Sequence, residues 1–292
     1  WLDQEKKHVV TSAFGHPSVL RVLDELSFFG ISYDILPVDS TGLVNPSDLK
    51  SVIRKDTALV SIMYVNNEVG TIQPIEDLID IAKSFSIPFH SDCVQAVGKL
   101  PISINIIEAD YMSFSAHKFY GPKGIGFLYK KEGNHLKPLI IGGSQESNLR
   151  AGTENISGIA GLGVAAQLVN TNLNDRIKHL LQLEDYFKTK LTDQHPEIIF
   201  HGNHSKHVPG LCSIAIPNHK NEVVLAKLDR KGIEVSNGSA CSSGVVGLSP
   251  ILSAMGIEDL ANQSTIRVSF GRENTIAEMS KLIESLSDIV DE

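Results

Sequence analysis

The chain has 292 residues, and because a single hydrophobic core rarely grows beyond about 250 residues, this length predicts two domains. Acidic residues (34) outnumber basic ones (26), the net charge is -8 and no long basic run is present, so we do not expect a nucleic-acid partner. No apolar stretch approaches the roughly 18 residues that span a bilayer, and the first ten residues lack the apolar core of a signal peptide, so we expect no membrane partner and a cytoplasmic location.

Apolar segments alternate with helical patterns through the first half of the chain. Strands are predicted at 8–12, 31–36, 58–65, 87–91, 111–114 and 125–130. Helices are predicted near 18–29, 46–53 and 74–85. This alternation favours an α/β fold in which a largely parallel sheet has helices on both faces.

The pattern changes after Gly163. A long amphipathic stretch at about 174–194 precedes a second set of predicted elements, which are the strands 211–216, 232–236 and 265–270 and the helices 222–230 and 275–290. These elements predict a smaller α+β domain. We therefore divide the chain into a large domain at 1–172 and a small C-terminal domain at 173–292.

Polar residues follow several of the predicted strands at the point where each strand ends. Ligands of open parallel sheets bind beyond the carboxyl ends of the strands, so these residues are candidates for one shared site. They are His16, the segment 66–68 with Asn67, Asp92, Gln95, Ser115, His117 and Lys118.

Lys118 follows the predicted strand 111–114 and precedes a turn rich in Gly and Pro. An amine held at such an elbow between Ser115, His117 and glycines that let the backbone approach a ligand suits a Schiff base to a phosphorylated aldehyde. The alternative is an ordinary surface lysine in a loop, because short motifs of this kind are common.

The other strand-end residues also have two interpretations each. Asp92 can salt-bridge a protonated ring nitrogen and keep a pyridine cationic, or it can cap a following helix. Asn67 and Gln95 can donate to a ring hydroxyl oxygen or merely tie loops together. His16 can stack on a flat ring or shuttle protons, or it can be a turn histidine.

Two residues outside the strand ends are candidates for binding anions. Arg267 lies on a predicted strand, where a bidentate contact with a substrate carboxylate would explain it, although an edge-strand arginine facing water is equally compatible. Thr153 lies in a polar loop that contains glycines, where it can reach a phosphate or simply turn the chain.

The three cysteines are Cys93, Cys212 and Cys241, and no Cys-x-x-Cys pair occurs among them. Neither a disulfide framework nor a metal site is therefore predicted. Cys93 and Cys212 are expected to pack in the core. Cys241 lies in the Ser/Gly-rich segment 236–250, which predicts an exposed, mobile loop where a thiol is suited to nucleophilic attack.

Six strings occur in the order and approximate spacing found in one enzyme family: VNNEVG, HSDCVQAVGKLPI, SFSAHKFYGPKGIGFLY, RAGTEN, SNGSACSS and TIRVSFGR. The chain closely resembles the NifS/IscS-type cysteine desulfurases, which belong to the class-V aminotransferases and to the fold-type I pyridoxal-phosphate enzymes. The resemblance covers nearly all of the chain. It implies an aspartate aminotransferase-like large domain with a mainly parallel sheet, a smaller α+β domain and pyridoxal 5'-phosphate as cofactor.

The resemblance also implies a role for each candidate residue. Cofactor contacts are implied for Lys118 (the Schiff-base lysine), Asp92 (ring nitrogen), His16 (ring stacking), Asn67 and Gln95 (phenolic oxygen), Ser115 and His117 (phosphate), and Thr153 (phosphate of a neighbouring subunit in a homodimer). Substrate contacts are implied for Arg267, at the carboxylate, and Asn67. Catalytic roles are implied for Lys118, His16 and Cys241, the last as the sulfur acceptor.

By the same resemblance, the expected reaction converts L-cysteine to L-alanine and leaves the sulfur as a persulfide on Cys241. The long Cys241 loop resembles the subgroup that passes sulfur to iron–sulfur scaffolds and tRNA-thiolation proteins. Family members begin with a segment that includes a Gly-Ala-Thr phosphate turn, and no part of this sequence matches it. We therefore expect either a fragment of a longer protein or a lineage that has lost part of its site.

Three other functions remain open at this point. One is a selenocysteine lyase or another aminotransferase-like enzyme of the same fold, against which the Cys241 loop favours desulfuration. Another is a non-catalytic family member that acts as a dimerisation or scaffold-binding module, which the unmatched N-terminal segment supports. A Cys/His hydrolase is the weakest of the three alternatives, because no cysteine-protease signature surrounds Cys241.

Overall fold

A six-stranded sheet forms the first half of this computed structural model, which describes residues 6–202, 205–238 and 247–292. Its strands are β1 (His8–Ser12), β2 (Ser32–Leu36), β3 (Thr57–Ser61), β4 (Phe89–Asp92), β5 (Tyr111–Ser115) and β6 (Gly126–Lys130). They lie in the order β2-β1-β3-β4-β5-β6. The first five pair in parallel and β6 pairs antiparallel with β5, which confirms the predicted, mainly parallel α/β sheet.

Helices connect the parallel strands, because parallel neighbours need a crossover rather than a hairpin. They are α1 (Pro17–Ser27), α2 (Pro46–Val52) and α3 (Ile75–Ser84). The apolar face of α3 packs onto the sheet, where Leu78 and Ile79 join fully buried Phe89 and Met112 in one core. The predicted helices agree with these bounds to within two residues at each end.

The longest helix, α4 (Ile156–Gln194), begins well before the predicted amphipathic stretch at 174–194. Glycines in its first turns have low helix propensity, which hid this start from the sequence pattern. Gly161 has a packing reason, since a Cβ there would lie 2.6 Å from Pro122 Cγ. The boundary predicted between 172 and 173 falls inside α4 and stays a prediction. No helix in the three described ranges is long and apolar enough to cross a membrane.

A second, antiparallel sheet lies in the C-terminal part of the chain. It consists of β7 (Ile199–His201), β8 (Leu211–Ala215) and β9 (Thr265–Ser269) in that order. The remaining helices are α5 (Asn221–Arg230), α6 (Pro250–Ala254), α7 (Asp259–Gln263) and α8 (Ile276–Val290). Residues from α4, α5 and α8 form a second core with the sheet around fully buried Phe187.

The strand predicted at 232–236 is wrong, although its last residue reaches the sheet. Ser236 and Arg267 of β9 exchange two backbone hydrogen bonds of 3.1 and 2.6 Å and form an isolated bridge. A turn with Gly232 at φ +72° precedes this contact, and Gly238 at φ +88° follows it. The chain therefore crosses the free edge of β9 at one residue and does not run along it.

Candidate active site

The carboxyl ends of β1, β3, β4 and β5 meet at one edge of the large sheet. The order of the strands reverses between β1 and β3, because β2 lies on one side of β1 while β3, β4 and β5 follow on the other. Such a reversal leaves a crevice where ligands bind. His16, Asn67, Asp92 and Lys118 each follow one of these strands, as the sequence predicted.

Lys118 lies in a 3₁₀ turn, Ala116–Phe119, that follows β5 directly. Tyr120 ends the turn with φ +67°, and the Gly121 amide then donates to the Ala116 carbonyl over 2.9 Å. A Cβ at Gly121 would lie 2.8 Å from the Ala116 Cβ. Glycine is therefore needed at position 121 for the turn to close on itself, and the approach of a ligand to the glycines stays a prediction. Ala116 and Phe119 are buried, whereas the Lys118 side chain is exposed.

The ring of Tyr120 holds this turn against α4 and the segment after β9. The guanidinium carbons of Arg176 and Arg272 both lie 4.8 Å from the ring centroid, and the Arg272 amide donates to the Tyr120 hydroxyl over 3.1 Å. Two cation–π contacts on one ring limit the freedom of the turn. A cavity of about 360 Å³ lies beside this ring, and its lining includes Arg176, His179 and Arg272. None of the predicted site residues lines it.

Asp92 ends β4, the strand next to β5, and only 8% of its surface is exposed. Its Oδ1 accepts a hydrogen bond from the Val94 amide over 3.0 Å. A turn follows rather than a helix, so the alternative that Asp92 caps a helix is wrong. The neighbouring Cys93 is fully buried, and burial raises the pKa of its thiol to about 12. Burial also raises the pKa of the Cys212 thiol, so both cysteines pack in the core as predicted.

Gln95 follows in the same turn and is 9% exposed. Lys99 Nζ donates a hydrogen bond to Gln95 Oε1 over 2.8 Å. No role for Lys99 is predicted from the sequence. Its spacing of four residues from Gln95 was visible in the sequence, but such spacing predicts contact only within a helix, and this segment is a turn.

Arg267 brings the small sheet to the edge of the large one. From β9, its Nη1 donates to the Asn67 carbonyl over 2.9 Å, across 200 positions of the chain. The side chain is half-buried, so the alternative of an edge-strand arginine facing water does not describe it. Burial raises the pKa of Glu68 and lowers that of Lys99; the positive charge of Arg267 opposes the first shift and adds to the second. The guanidinium is thus hydrogen-bonded to the loop after β3, and its charge also acts on the turn after β4.

Glu68 is a buried carboxylate that sequence reasoning left without a role. Its Oε2 accepts a hydrogen bond from Ser249 Oγ over 2.6 Å, and a Cβ at Gly238 would lie 2.7 Å from the same oxygen. Burial raises the pKa of Glu68, although Ser249 and Arg267 oppose this. Glu68 therefore contacts the chain on both sides of residues 239–246. The predicted sulfur acceptor, Cys241, lies outside the described residues.

The remaining predicted residues have local partners. His16 caps α1, because its Nδ1 accepts from the Ser18 amide over 3.2 Å. Ser115 Oγ and His117 Nδ1 are 2.8 Å apart, and burial together with the charges of Lys118 and Lys123 lowers the pKa of His117. Thr153 is exposed just before α4. The predicted ring stacking of His16 and the phosphate contacts of Ser115, His117 and Thr153 stay predictions.

Known proteins resemble this chain over almost its whole length. The model of the family described as "Aminotransferase class-V" matches residues 2–282. The chain belongs to the class-V aminotransferase family. A cysteine desulfurase IscS of Dictyoglomus turgidum is 41% identical over 290 residues, which are 99% of this chain and 74% of that protein.

Solved structures of class-V relatives agree with this chain in fold. One described as "NIFS-LIKE PROTEIN" is 35% identical and has a TM-score of 0.92. The match covers 99% of this chain and 76% of the chain in that structure. Another, "SspA in complex with cysteine", is 32% identical, has a TM-score of 0.75 and matches 91% of this chain and 74% of its own. The resemblance and the fold predicted from the sequence are therefore confirmed.

Class-V aminotransferases depend on pyridoxal 5'-phosphate, and the donor set at this sheet edge fits that group. Lys118 supplies an exposed amine for the aldehyde, and Asp92 supplies a nearly buried carboxylate for the ring nitrogen. The positive charges of Arg267, Arg176 and Lys118 all act on Lys99. Cations around this turn are suited to the phosphate and carboxylate groups that the cofactor and an amino acid would bring.

Proposed function

We propose that this protein is a pyridoxal-phosphate-dependent cysteine desulfurase that converts L-cysteine to L-alanine and holds the sulfur as a persulfide on Cys241. One observation carries the proposal: Lys118, Asp92 and Arg267 gather at one edge of the large sheet, in a chain 41% identical to a cysteine desulfurase. The solved relative in complex with cysteine supports the choice of substrate. The comparisons do not favour a selenocysteine lyase or a non-catalytic module.

The residues at the sheet edge have different roles in the first step of the reaction. Bound there, pyridoxal phosphate would supply an electron sink for negative charge at the substrate α-carbon. Lys118 would hold the aldehyde until the amino group of L-cysteine replaces it, and the freed Lys118 amine would then take the α-proton as general base. Asp92 keeps a proton on the ring nitrogen, and the guanidinium of Arg267 binds the substrate carboxylate.

Cys241 carries the sulfur step. Its thiolate attacks the substrate sulfur, so a sulfur–sulfur bond forms while the carbon–sulfur bond of the substrate breaks and its electron pair stays on carbon. Protons returned to the substrate carbons complete alanine, and the persulfide remains on Cys241. The same proposal includes a homodimer in which Thr153 reaches the phosphate of the neighbouring subunit. It also includes iron–sulfur scaffold or tRNA-thiolation proteins as sulfur acceptors, and both rest on the sequence resemblance. The cytoplasmic location that it includes rests on the composition of the sequence.

The proposal is tested with purified protein, pyridoxal phosphate and L-cysteine. We expect the wild type to turn yellow and to release alanine and sulfide in the presence of a reducing thiol. Cys241→Ser is expected to keep the colour and to lose both products, whereas Lys118→Ala is expected to lose the absorption band of the covalently bound cofactor. Cys212→Ala is the matched control, because it removes a buried thiol whose raised pKa keeps it protonated, and it is expected to retain both products. A colourless wild type that takes up no cofactor would contradict the proposal.

A further inference from the structure

Lys99 lies in a turn that places its amine inside the molecule. The amides of Lys99 and Leu100 both donate to the Ala96 carbonyl, over 3.1 and 2.9 Å, and Gly98, directly before Lys99, has φ +76°. A Cβ at Gly98 would lie 3.1 Å from Arg176 Nη1 and 3.4 Å from the Phe119 Cβ. The turn after β4 is therefore packed tightly against both α4 and the turn that carries Lys118.

The surroundings of Lys99 disfavour a positive charge. Burial of its ammonium lowers the pKa of Lys99 to about 7, and the charges of Arg267 on β9, Arg176 on α4 and Lys118 in the 3₁₀ turn act in the same direction. A lysine placed among like charges costs stability, which indicates a task at the site rather than a contribution to the core.

Gln95 is the hydrogen-bond partner of this amine. A carboxamide has one acceptor oxygen and one donor NH₂ group, whereas the protonated form of the Lys99 amine is a donor only. The 2.8 Å bond from Lys99 Nζ therefore determines which end of the Gln95 amide faces the lysine. The oxygen accepts from Lys99, so the Nε2 group is the end of the amide that faces away from the lysine.

We propose that Lys99 is a positioning residue that orients the Gln95 amide, so that Nε2 is the group presented to the phenolic oxygen of the cofactor. The inference rests on the proposed function, because the contact between Gln95 and the cofactor is part of it. A donor to the phenolic oxygen stabilises its deprotonated form. Loss of Lys99 releases the amide, which then rotates between its two orientations and donates for only part of the time.

The role of Gln95 separates this proposal from a simple effect of charge. A nearby cation at position 99 would also stabilise the deprotonated oxygen, but that effect does not need Gln95. Orientation of the amide does need it. The substitutions Lys99→Met and Gln95→Ala are therefore expected to be coupled, and a double-mutant cycle measures that coupling.

The experiment uses apo protein reconstituted with pyridoxal phosphate, without substrate. Two quantities are measured for each variant: the Kd for pyridoxal phosphate and the pH midpoint of the absorption change of the bound cofactor. Lys99→Met is expected to weaken binding about tenfold, as for the loss of one hydrogen bond to a charged group, and to raise the midpoint by about one unit. Lys99→Arg keeps a donor-only cation and is expected to stay close to the wild-type midpoint. In a Gln95→Ala background, Lys99→Met is expected to change the Kd less than twofold and the midpoint by less than about 0.3 pH unit.

Lys55→Met is the matched control, because Lys55 is exposed and distant in the chain from these elements. It is expected to leave both quantities unchanged. Should Lys99→Met shift the midpoint equally with and without Gln95, Lys99 acts through its charge alone and the proposal is overturned. A wild type that takes up no pyridoxal phosphate would overturn the proposed function and this inference together, whereas normal uptake with additive shifts overturns only the inference.

Discussion

The buried carboxylate of Glu184 connects α4 to the segment before β8, and its removal is expected to destabilise the protein. Oε1 accepts hydrogen bonds from His207 Nε2, over 2.6 Å, and from Lys188 Nζ. Oε2 accepts from the Gly210 amide over 2.8 Å. Only 3% of Glu184 is exposed, and His207 forms an isolated bridge with Thr71, which lies between β3 and α3. The carboxylate therefore holds three donors at the junction of the two sheets.

The substitution Glu184→Gln keeps the shape of the side chain and replaces one oxygen by an NH₂ group. Because all three partners are donors, at least one of them then faces another donor. An unsatisfied buried donor costs about 1–3 kcal/mol, and the remaining bonds lose the contribution of the negative charge. We expect the free energy of unfolding to fall by about 3 kcal/mol, which corresponds to a Tm lower by about 5 °C for a chain of this length.

The effect of Glu184→Gln on the free energy of unfolding is expected to depend on pH. Burial alone would raise the pKa of Glu184, but hydrogen bonds from His207 and Lys188 outweigh it and lower the pKa below its ordinary value. A carboxylate with a lowered pKa contributes stability that is complete above the unfolded-state pKa of about 4.3 and is lost as the pH falls through the folded-state pKa. Glutamine imitates the protonated acid, so the difference between wild type and Glu184→Gln is expected to shrink below about pH 4.3.

Urea unfolding at a series of pH values between 7 and 3.5 measures this difference. Asp185→Asn is the matched control, because it removes the same charge from the adjacent but exposed position, and it is expected to change stability by less than about 0.5 kcal/mol. The reasoning is refuted if Glu184→Gln and the wild type unfold at the same urea concentration at pH 7. A difference that stays constant down to pH 3.5 would equally refute the assigned role of the charge.

Two further substitutions test the second core and its last helix. Thr275 caps α8 in a capping box with Glu278, so Thr275→Ala is expected to lower the free energy of unfolding by about 1 kcal/mol. Thr275→Ser keeps the hydroxyl and is expected to retain most of the stability that the cap contributes. Equal urea midpoints for all three proteins would contradict the role of the cap. Phe187 is fully buried, and Phe187→Ala is expected to cost about 3–5 kcal/mol, whereas Phe28→Ala removes a ring that is 82% exposed and is expected to cost less than about 0.5 kcal/mol. Similar losses for the two phenylalanines would show that burial does not set the cost.

Local patterns predicted most of the secondary structure. The strand 8–12 and the helices α1, α2 and α3 agree with the predicted ranges, because alternation and helical periodicity depend on neighbouring residues alone. The start of α4 and the segment 232–236 were predicted poorly. At the start of α4, close packing against Pro122 leaves no room for a Cβ at Gly161, and a local pattern does not contain this contact. The segment 232–236 meets its partner strand at one residue only.

The sequence by itself determined the family, the α/β sheet and the strand ends at which Asp92 and Lys118 lie, since these follow from motifs and periodicities that are written locally in the chain. Only the tertiary structure decided which side chains meet. The hydrogen bond from Arg267 to Asn67 joins residues 200 positions apart, Ser249 reaches Glu68 across 181, and the orientation of the Gln95 amide depends on a turn packed against two other elements. The physical reason is that a hydrogen bond depends on distances of a few tenths of an ångström, and such distances are set by the packing of whole elements rather than by the spacing of residues along the chain.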